Sequence, residues 1–510
     1  MIEFYLNGQH HTLEQTDPNL SILDWLRTKK RLIGTKEGCA SGDCGARTVS
    51  IGTLDQSNAG HLRYDSVNSG IAPVGSLHGK HLVTVEALAE EPGHPVQKEM
   101  IECHGAQCGL CTPGIIMSLF SLHTEKTNSG SPTHDRELLE ALSGNLCRCT
   151  GYRPIIEAGR KASVQTWSPR DENTPANRGA ALSGPVAATG ASWLQSPEMV
   201  ANLGKVAGTA ASLVDNRGYR YDAPVTLEAL RELLGQFPEA RLVAGGTDLS
   251  LDITQQLKDL THLIGLSGIR ELQEVHESEN GIYIGAGATY SAVFHTLEAH
   301  WPHFGPMLER LGSRQIRNRG TLGGNIGNAS PIGDMPPPLI ALGAELELDG
   351  VNGSRRLPLQ DFFLDYKKTA QKTGEFVRGV HIPVAQPDEQ LLIYKISKRM
   401  DDDISAVLFA LWLKYDGDVI KDCRLAFGGM AAIPKRARGA EAELRGQPWS
   451  EAAVANAIAA LEQELKPMSD VRGSAAYRLQ IAGNLLRRAH LESTQDATQT
   501  RQPLTVTDYA

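Results

Sequence analysis

His104-Gly-Ala-Gln-Cys-Gly-Leu-Cys-Thr-Pro-Gly114 sets Cys108 and Cys111 three positions apart, and Gly144-Asn-Leu-Cys-Arg-Cys-Thr-Gly-Tyr-Arg-Pro154 sets Cys147 and Cys149 two apart. The second pair begins 36 residues after the first ends. Around them Val96–Ile101, Gly114–Leu122, Arg136–Leu142 and Pro154–Val164 carry the apolar spacing of helices. The cysteines therefore fall in the short breaks of a compact four-helix unit. Four thiolates converging in this way can ligate a [2Fe–2S] centre, with Cys108 and Cys111 reaching one iron and Cys147 and Cys149 the other. Zinc also accepts four thiolates, although the short bite of Cys-x-Cys suits a helix-end turn better than a zinc knuckle. Cys103 reads as a buried spectator, and His104, close to the ligands, is the one histidine to watch.

Upstream, Ile2, Phe4 and Leu6 alternate with polar residues, Asn7-Gly8 follows, and a second short alternating run comes next. That pattern predicts a hairpin with a type I′ turn. Ser21–Lys30 has helical spacing, Gly34–Arg47 reads as a Gly/Cys-rich loop, and Leu82–Glu86 restores a strand. Together these predict a small ferredoxin-like sheet. Plant-type ferredoxins use Cys-x4-Cys-x2-Cys with a distant fourth cysteine. Cys39 and Cys44 have the first separation, but Arg47 stands at the third position. A guanidinium cannot be deprotonated to replace a thiolate.

Downstream, residues 167–205 are polar and Pro/Gly/Ser-rich, which reads as an extended linker. Short strands, helical stretches and Gly-rich loops then alternate through residue 388. Leu242-Val-Ala-Gly-Gly-Thr-Asp-Leu249 leaves a strand and enters a helix, and Gly245 and Gly246 would let backbone N–H groups approach a pyrophosphate. Gly320-Thr-Leu-Gly-Gly-Asn-Ile-Gly-Asn-Ala-Ser-Pro-Ile-Gly-Asp334 adds the Thr321 hydroxyl, the amides of Asn325 and Asn328, and Asp334 as an acceptor for sugar hydroxyls. Taken singly, such turns are often purely structural, and neither fits the Rossmann pattern. Strand-like runs at Ala406–Lys414 and Val419–Phe427 and amphipathic helices at 450–465 and 474–489 follow, before a polar tail at 493–510.

Several function classes are excluded by bulk properties. A net charge of −9 gives no basic footprint for nucleic acid. No apolar run approaches about 18 residues and the first residues lack a signal-peptide pattern, so a cytoplasmic, non-membrane protein is expected. Seven of the eight cysteines lie between positions 39 and 149, a clustering that favours metal over disulfides. No Ser/His/Asp or H-E-x-x-H arrangement stands out, so no catalytic residue is expected in this chain.

The two cysteine motifs resemble the helical [2Fe–2S] domain of the xanthine dehydrogenase and aldehyde oxidase family of molybdenum hydroxylases. Arg314-Gln-Ile-Arg-Asn-Arg-Gly-Thr-Leu-Gly-Gly-Asn-Ile326 and the loop at 242–249 resemble the FAD-binding domain that this family shares with vanillyl-alcohol-oxidase-type flavoproteins. The likeness is to the iron–sulfur/FAD small subunit of the bacterial members. It implies a multidomain α+β chain: a β-grasp ferredoxin-like domain (1–87), a four-helix [2Fe–2S]-binding domain (88–166), the linker, an α+β FAD-binding domain (206–388) and a C-terminal α/β domain of the CO-dehydrogenase flavoprotein kind (389–492). It places a cluster on Cys108, Cys111, Cys147 and Cys149, with Gln107 toward molybdopterin. It places FAD on Leu242, Val243, Ala244, Gly245, Gly246, Thr247, Asp248, Leu249, Gly312, Thr321, Gly324, Asn325, Asn328, Asp334 and Lys395. Leu311 stands where many relatives set an aromatic over the flavin, Asp401–Asp403 reads as a solvated turn or a redox-tuning group, and Gly473–Arg478 starts a helix typical of the last domain.

In the N-terminal loop the fourth ligand of relatives corresponds to Gly70, so Cys39 and Cys44 stand in a site short of two ligands, at Arg47 and Gly70. This predicts an absent or labile second cluster unless another residue or an exogenous thiol completes it. The resemblance further implies a molybdopterin-binding large subunit as partner, in a heterotetramer of two small and two large subunits. Electrons from hypoxanthine or xanthine would pass through [2Fe–2S] and FAD to NAD⁺. An aldehyde, carbon monoxide or N-heterocycle hydroxylase, or a non-conducting assembly subunit, are the alternatives.

Overall fold

A computed structural model describes residues 1–55, 58, 60–89, 93–167, 193–194 and 196–494, arranged as two compact units. The first holds Met1–Arg270 with Ser313–Gly320, and the second holds Glu271–Gly312 and the chain from Thr321 onward. No helix among the described residues is long and apolar enough to cross a membrane.

The first unit begins with the expected hairpin. Ile2, Phe4 and Leu6 of β1 (Ile2–Leu6) are buried, and β1 pairs antiparallel with β2 (Gln9–Leu13). Asn7 and Gly8 between them have φ of 51° and 83°, the left-handed pair a type I′ turn requires. With β3 (Thr48–Leu54), β4 (Leu62–Asn68) and β5 (His81–Val83) they form a five-stranded sheet ordered β2-β1-β5-β3-β4, in which β1 and β5 run parallel. The helix expected over Ser21–Lys30 is one α-turn, capped by the Ser21 hydroxyl, that widens into a π-helical turn over Trp25–Lys29. Ile22, Leu23, Trp25 and Leu26 are all buried there, a broader apolar face than a regular helix of this length presents. The returning strand is shorter than the predicted 82–86 because the Ala87 N–H turns back to the Thr84 carbonyl and starts a 3₁₀ turn.

Four helices follow: α1 (Pro95–Glu102), α2 (Thr112–Ser129), α3 (Asp135–Leu142) and α4 (Arg153–Ser163). Proline occupies the first turn of α1, α2 and α4, where its missing N–H costs nothing. Met100, Ile115, Met117, Phe120, Leu138 and Ile155 form their core. The linker expected over 167–205 needs a correction at its end. Ser196 caps a helix, α5 (Pro197–Ala207), whose Met199, Val200 and Leu203 join that same core. Residues 168–192 and 195 of the expected linker lie outside the described residues.

The unit closes with β6 (Ala211–Val214), β7 (Arg220–Ala223), β8 (Arg241–Val243) and β9 (His262–Gly265), ordered β6-β7-β9-β8, with β7, β9 and β8 mutually parallel. Leu213, Tyr221, Val243 and Leu263 from this sheet share one core with Ile2, Phe4 and Trp25 of the first sheet.

In the second unit, β10 (Val275–Ser278), β11 (Gly281–Gly285), β12 (Glu345–Gly350), β13 (Arg355–Pro358) and β14 (Glu375–Ile382) form an antiparallel sheet ordered β10-β11-β14-β12-β13. A separate antiparallel sheet follows: β15 (Glu389–Ile396), β16 (Val407–Asp416), β17 (Val419–Gly428) and β18 (Lys435–Arg436). Helices Glu451–Glu464 and Ala475–Thr494 bury Val454, Ile458, Leu461, Leu485 and Leu486 against Phe409, Leu411 and Phe427 of that sheet. The first two residues of the tail expected from 493 are corrected: Ser493 and Thr494 are helical, and the Ser493 hydroxyl accepts from the Trp449 indole at 2.7 Å. Residues 495–510 lie outside the described residues.

Candidate functional site

The four cysteines of the helical domain sit where the sequence places them. Cys108 and Cys111 occupy the turn between α1 and α2, and Cys147 and Cys149 the turn between α3 and α4. Their thiols come together in pairs across the two motifs, Cys108 with Cys149 and Cys111 with Cys147. The spacing argument paired them within each motif instead; sequence distance says how far a turn reaches but not which turn faces it. Burial, followed by the hydrogen bond to Cys147, pushes the Cys111 thiol up to about 12. Burial also acts to raise Cys147, yet the Thr150 hydroxyl 3.1 Å from its sulfur, together with neighbouring hydrogen bonds, leaves it below its ordinary value. The Tyr152 hydroxyl accepts from the Cys147 N–H at 2.8 Å and fixes the turn. Among the described residues no three His, Cys, Asp or Glu side chains gather closely enough to hold a single metal ion. A dinuclear cluster takes thiolates in twos, one pair per iron, and twos are what this end of the domain offers. Gln107, Cys108 and Cys149 are exposed while Cys147 is buried, so the thiols run from the core to the surface.

Buried hydrogen bonds tie this end to its surroundings within the first unit. The Leu146 N–H donates to the Cys44 carbonyl and the Asn145 amide to the Gly45 carbonyl, both at 3.1 Å. The Gln315 amide donates to Ser118 Oγ at 2.9 Å and to Asn145 Oδ1 at 3.0 Å. Arg314 pairs with Glu125, and Arg317 with Glu140 at 3.0 Å. The stretch 314–326 was read from sequence only as a flavin motif. Its first residues also dock on the helical domain, a role that the glutamine between two arginines hints at only once Asn145 is seen beside it.

The N-terminal loop brings two of its expected ligands together. The Cys44 N–H donates to Cys39 Sγ at 3.4 Å, and both thiols are half-buried. Arg47 is 1% exposed and its guanidinium reaches Glu37 at 2.9 Å.

The two Gly-rich loops belong to different units. In the first, Leu242–Leu249 leaves β8 and runs into a short helical turn at Ser250–Thr254. A Cβ on Gly245 would lie 2.0 Å from the Arg319 carbonyl, so backbone packing alone demands glycine there, and the Arg319 guanidinium donates to the Gly245 carbonyl at 3.1 Å. In the second unit the Thr321 hydroxyl accepts from the Gly324 N–H at 3.0 Å and caps the turn Leu322–Gly327, leaving Gly324 and Gly327 exposed. Asn325 Oδ1 accepts from the Met335 N–H at 3.4 Å and Asn328 Oδ1 from the Lys367 ammonium at 2.7 Å. Asp334 and Lys395, each expected to touch the flavin, are partners of each other: their side chains meet at 2.5 Å, buried, and the Ser405 hydroxyl donates to the other Asp334 oxygen at 2.5 Å. Arg310 braces the same strand end through the carbonyls of Lys395 at 2.9 Å and Met400 at 2.8 Å. Sequence reasoning missed Ser405 and Arg310; neither lies in a motif. Gly312 has φ of 60°, next to a buried Leu311. Asp403 accepts from the Arg399 and Ile404 N–H groups at 2.8 and 3.0 Å, which makes it a turn former.

Three family models match the chain. They are the [2Fe–2S] binding domain over residues 84–160, the FAD binding domain in molybdopterin dehydrogenase over 217–385, and the CO dehydrogenase flavoprotein C-terminal domain over 393–493. Xanthine dehydrogenase of Drosophila subobscura is 32% identical over 96% of this chain, and xanthine dehydrogenase 1 of Arabidopsis thaliana is 32% identical over 92%. The chain spans 39% and 38% of those two proteins. Among solved structures, a chain of the Cu,Mo-CO dehydrogenase is 31% identical with a TM-score of 0.50, covering 52% of this chain and 94% of its own length. Quinoline 2-oxidoreductase from Pseudomonas putida 86 is 28% identical with a TM-score of 0.51, covering 55% of this chain and 98% of its own length. With both cysteine motifs folded into facing turns and three domain models of one family matched along the sequence, the chain belongs to the molybdenum hydroxylase family and carries that family's iron–sulfur and FAD-binding domains.

Proposed function

We propose that this chain is the electron-transfer subunit of a xanthine dehydrogenase, working with a molybdopterin-binding partner in the cytoplasm and delivering electrons to NAD⁺. The observation that carries the reading is the facing of Cys108 with Cys149 and of Cys111 with Cys147 at a partly exposed end of the helical domain. Bound there, a [2Fe–2S] centre would carry electrons singly, and FAD would gather them in twos for hydride transfer. The protein's own part is positioning. Tyr152 and Thr150 hold Cys147, exposed Gln107 faces outward beside the ligands, and Gly324 and Gly327 put no side chain on the exposed face of the turn that Thr321 caps. Asp334, itself held by the Ser405 hydroxyl, fixes the Lys395 ammonium near the end of β15, and this pair is the part of the strand we assign to the flavin.

The xanthine dehydrogenases among its relatives support the purine as substrate, and a heterotetramer of two such chains with two large subunits is the assembly we expect. The test is xanthine-dependent NADH formation by the purified complex, with molybdenum and FAD counted on the same sample. Activity on xanthine is the expected result. A complex that holds molybdenum and FAD but reduces NAD⁺ only with carbon monoxide or an N-heterocycle would move the substrate toward those of the solved relatives.

A further inference from the structure

Resting on the reading above, we propose that the N-terminal loop is a closed, cluster-free site in which Arg47 and Glu37 fill the place of a second iron–sulfur centre. Four thiolates are needed for a [2Fe–2S] centre, and the loop supplies Cys39 and Cys44. The other two positions are not merely empty of sulfur. A Cβ built on Gly70 would lie 2.1 Å from Arg47 Nη1, 2.4 Å from its Cδ and 2.8 Å from its Cζ, so the arginine side chain runs through the volume a ligand at position 70 would occupy. The guanidinium is 1% exposed and pairs with Glu37 at 2.9 Å, and the carboxylate offsets a charge that would otherwise be costly to bury.

The loop is also held together without metal. Asn68 bridges its two sides, donating from its amide to the Gly42 carbonyl at 2.7 Å and accepting from the Gly70 N–H at 3.2 Å. Ser69 donates to the Arg47 carbonyl from its N–H at 3.2 Å and from its hydroxyl at 2.7 Å. These are the ties between residues 39–47 and 68–71 that a shared cluster would make through iron. Protein groups make them here, so the loop keeps its shape, and its hydrogen bonds to Leu146 and Asn145 beside Cys147, with no cluster bound. The chain then carries one cluster, in the helical domain.

The experiment is iron per FAD on the purified complex, with electron paramagnetic resonance of the reduced sample, for wild type, C39A/C44A and R47C/G70C. Wild type is expected to hold about two iron atoms per chain and one cluster signal. C39A/C44A should be indistinguishable from it in both. R47C/G70C restores four thiols while removing the guanidinium, and should rise to about four irons with a second signal. Wild type with about four irons, or a loss of two in C39A/C44A, overturns the proposal. Should R47C/G70C fail to fold, the first two samples decide alone. A wild-type complex that binds FAD and no iron would instead overturn the functional reading on which the proposal rests.

Discussion

Cys147 is the buried member of its thiol group, and its N–H and sulfur each have a fixed partner in Tyr152 and Thr150. Replacing it by serine removes one thiolate at the site best held by protein, and we expect Cys147→Ser to lose about two iron atoms per chain while retaining FAD, read by metal analysis and flavin absorbance. Lys395 and Asp334 test a different kind of residue effect. Removing one partner of a buried ion pair leaves an uncompensated charge, so Lys395→Met should cost about 3–5 kcal/mol in denaturant unfolding. The double change Lys395→Met with Asp334→Leu should recover much of that. Both residues were singled out from sequence as expected flavin contacts, because they lie in motifs. That they bind each other was not legible, since 61 positions separate them and pairing depends on how β15 is placed. The same limit hid Ser405 and Arg310.

Elements show where local pattern suffices and where it fails. The hairpin was readable to the residue because alternation and Asn-Gly are local signals. Helix α5 was not, because it follows a long polar stretch and its capping Ser196-Pro197 looks like more of the same. Its Leu203 is 1% exposed, and Leu203→Ala should destabilise the first unit by about 2–5 kcal/mol, measured as a shift in its unfolding midpoint. At the start of β5, His81 links two elements. Its Nε2 accepts from the Gly8 N–H at 3.0 Å in the hairpin turn, and its Nδ1 lies 2.6 Å from the Tyr64 hydroxyl, which donates to the Leu194 carbonyl. Burial lowers this imidazole to about 3. The unfolded chain therefore takes up a proton near pH 6.5 that the folded one refuses, and stability is present above that pH and lost on descending toward about 3. Each pH unit in that window costs about 1.4 kcal/mol for this one proton. Comparing denaturation at pH 7 and 5, we expect a shallower loss in His81→Gln than in wild type.

At the scale of the whole molecule, the sequence sorted the chain into cluster, flavin and C-terminal parts because each carries its own motif or periodicity. It could not show that Ser313–Gly320 folds with the first unit while the rest of its glycine-rich stretch folds with the second. Within the first unit, Ser313–Gly320 is held to the helical cluster domain through Gln315. Under the proposed function, electrons reach the flavin by way of the helical cysteine cluster. The most direct test is bleaching of bound FAD when xanthine is added, without NAD⁺, to the purified wild-type and Cys147→Ser complexes. Rapid bleaching in wild type and none in Cys147→Ser is the expected result. Bleaching at the wild-type rate in Cys147→Ser would contradict it.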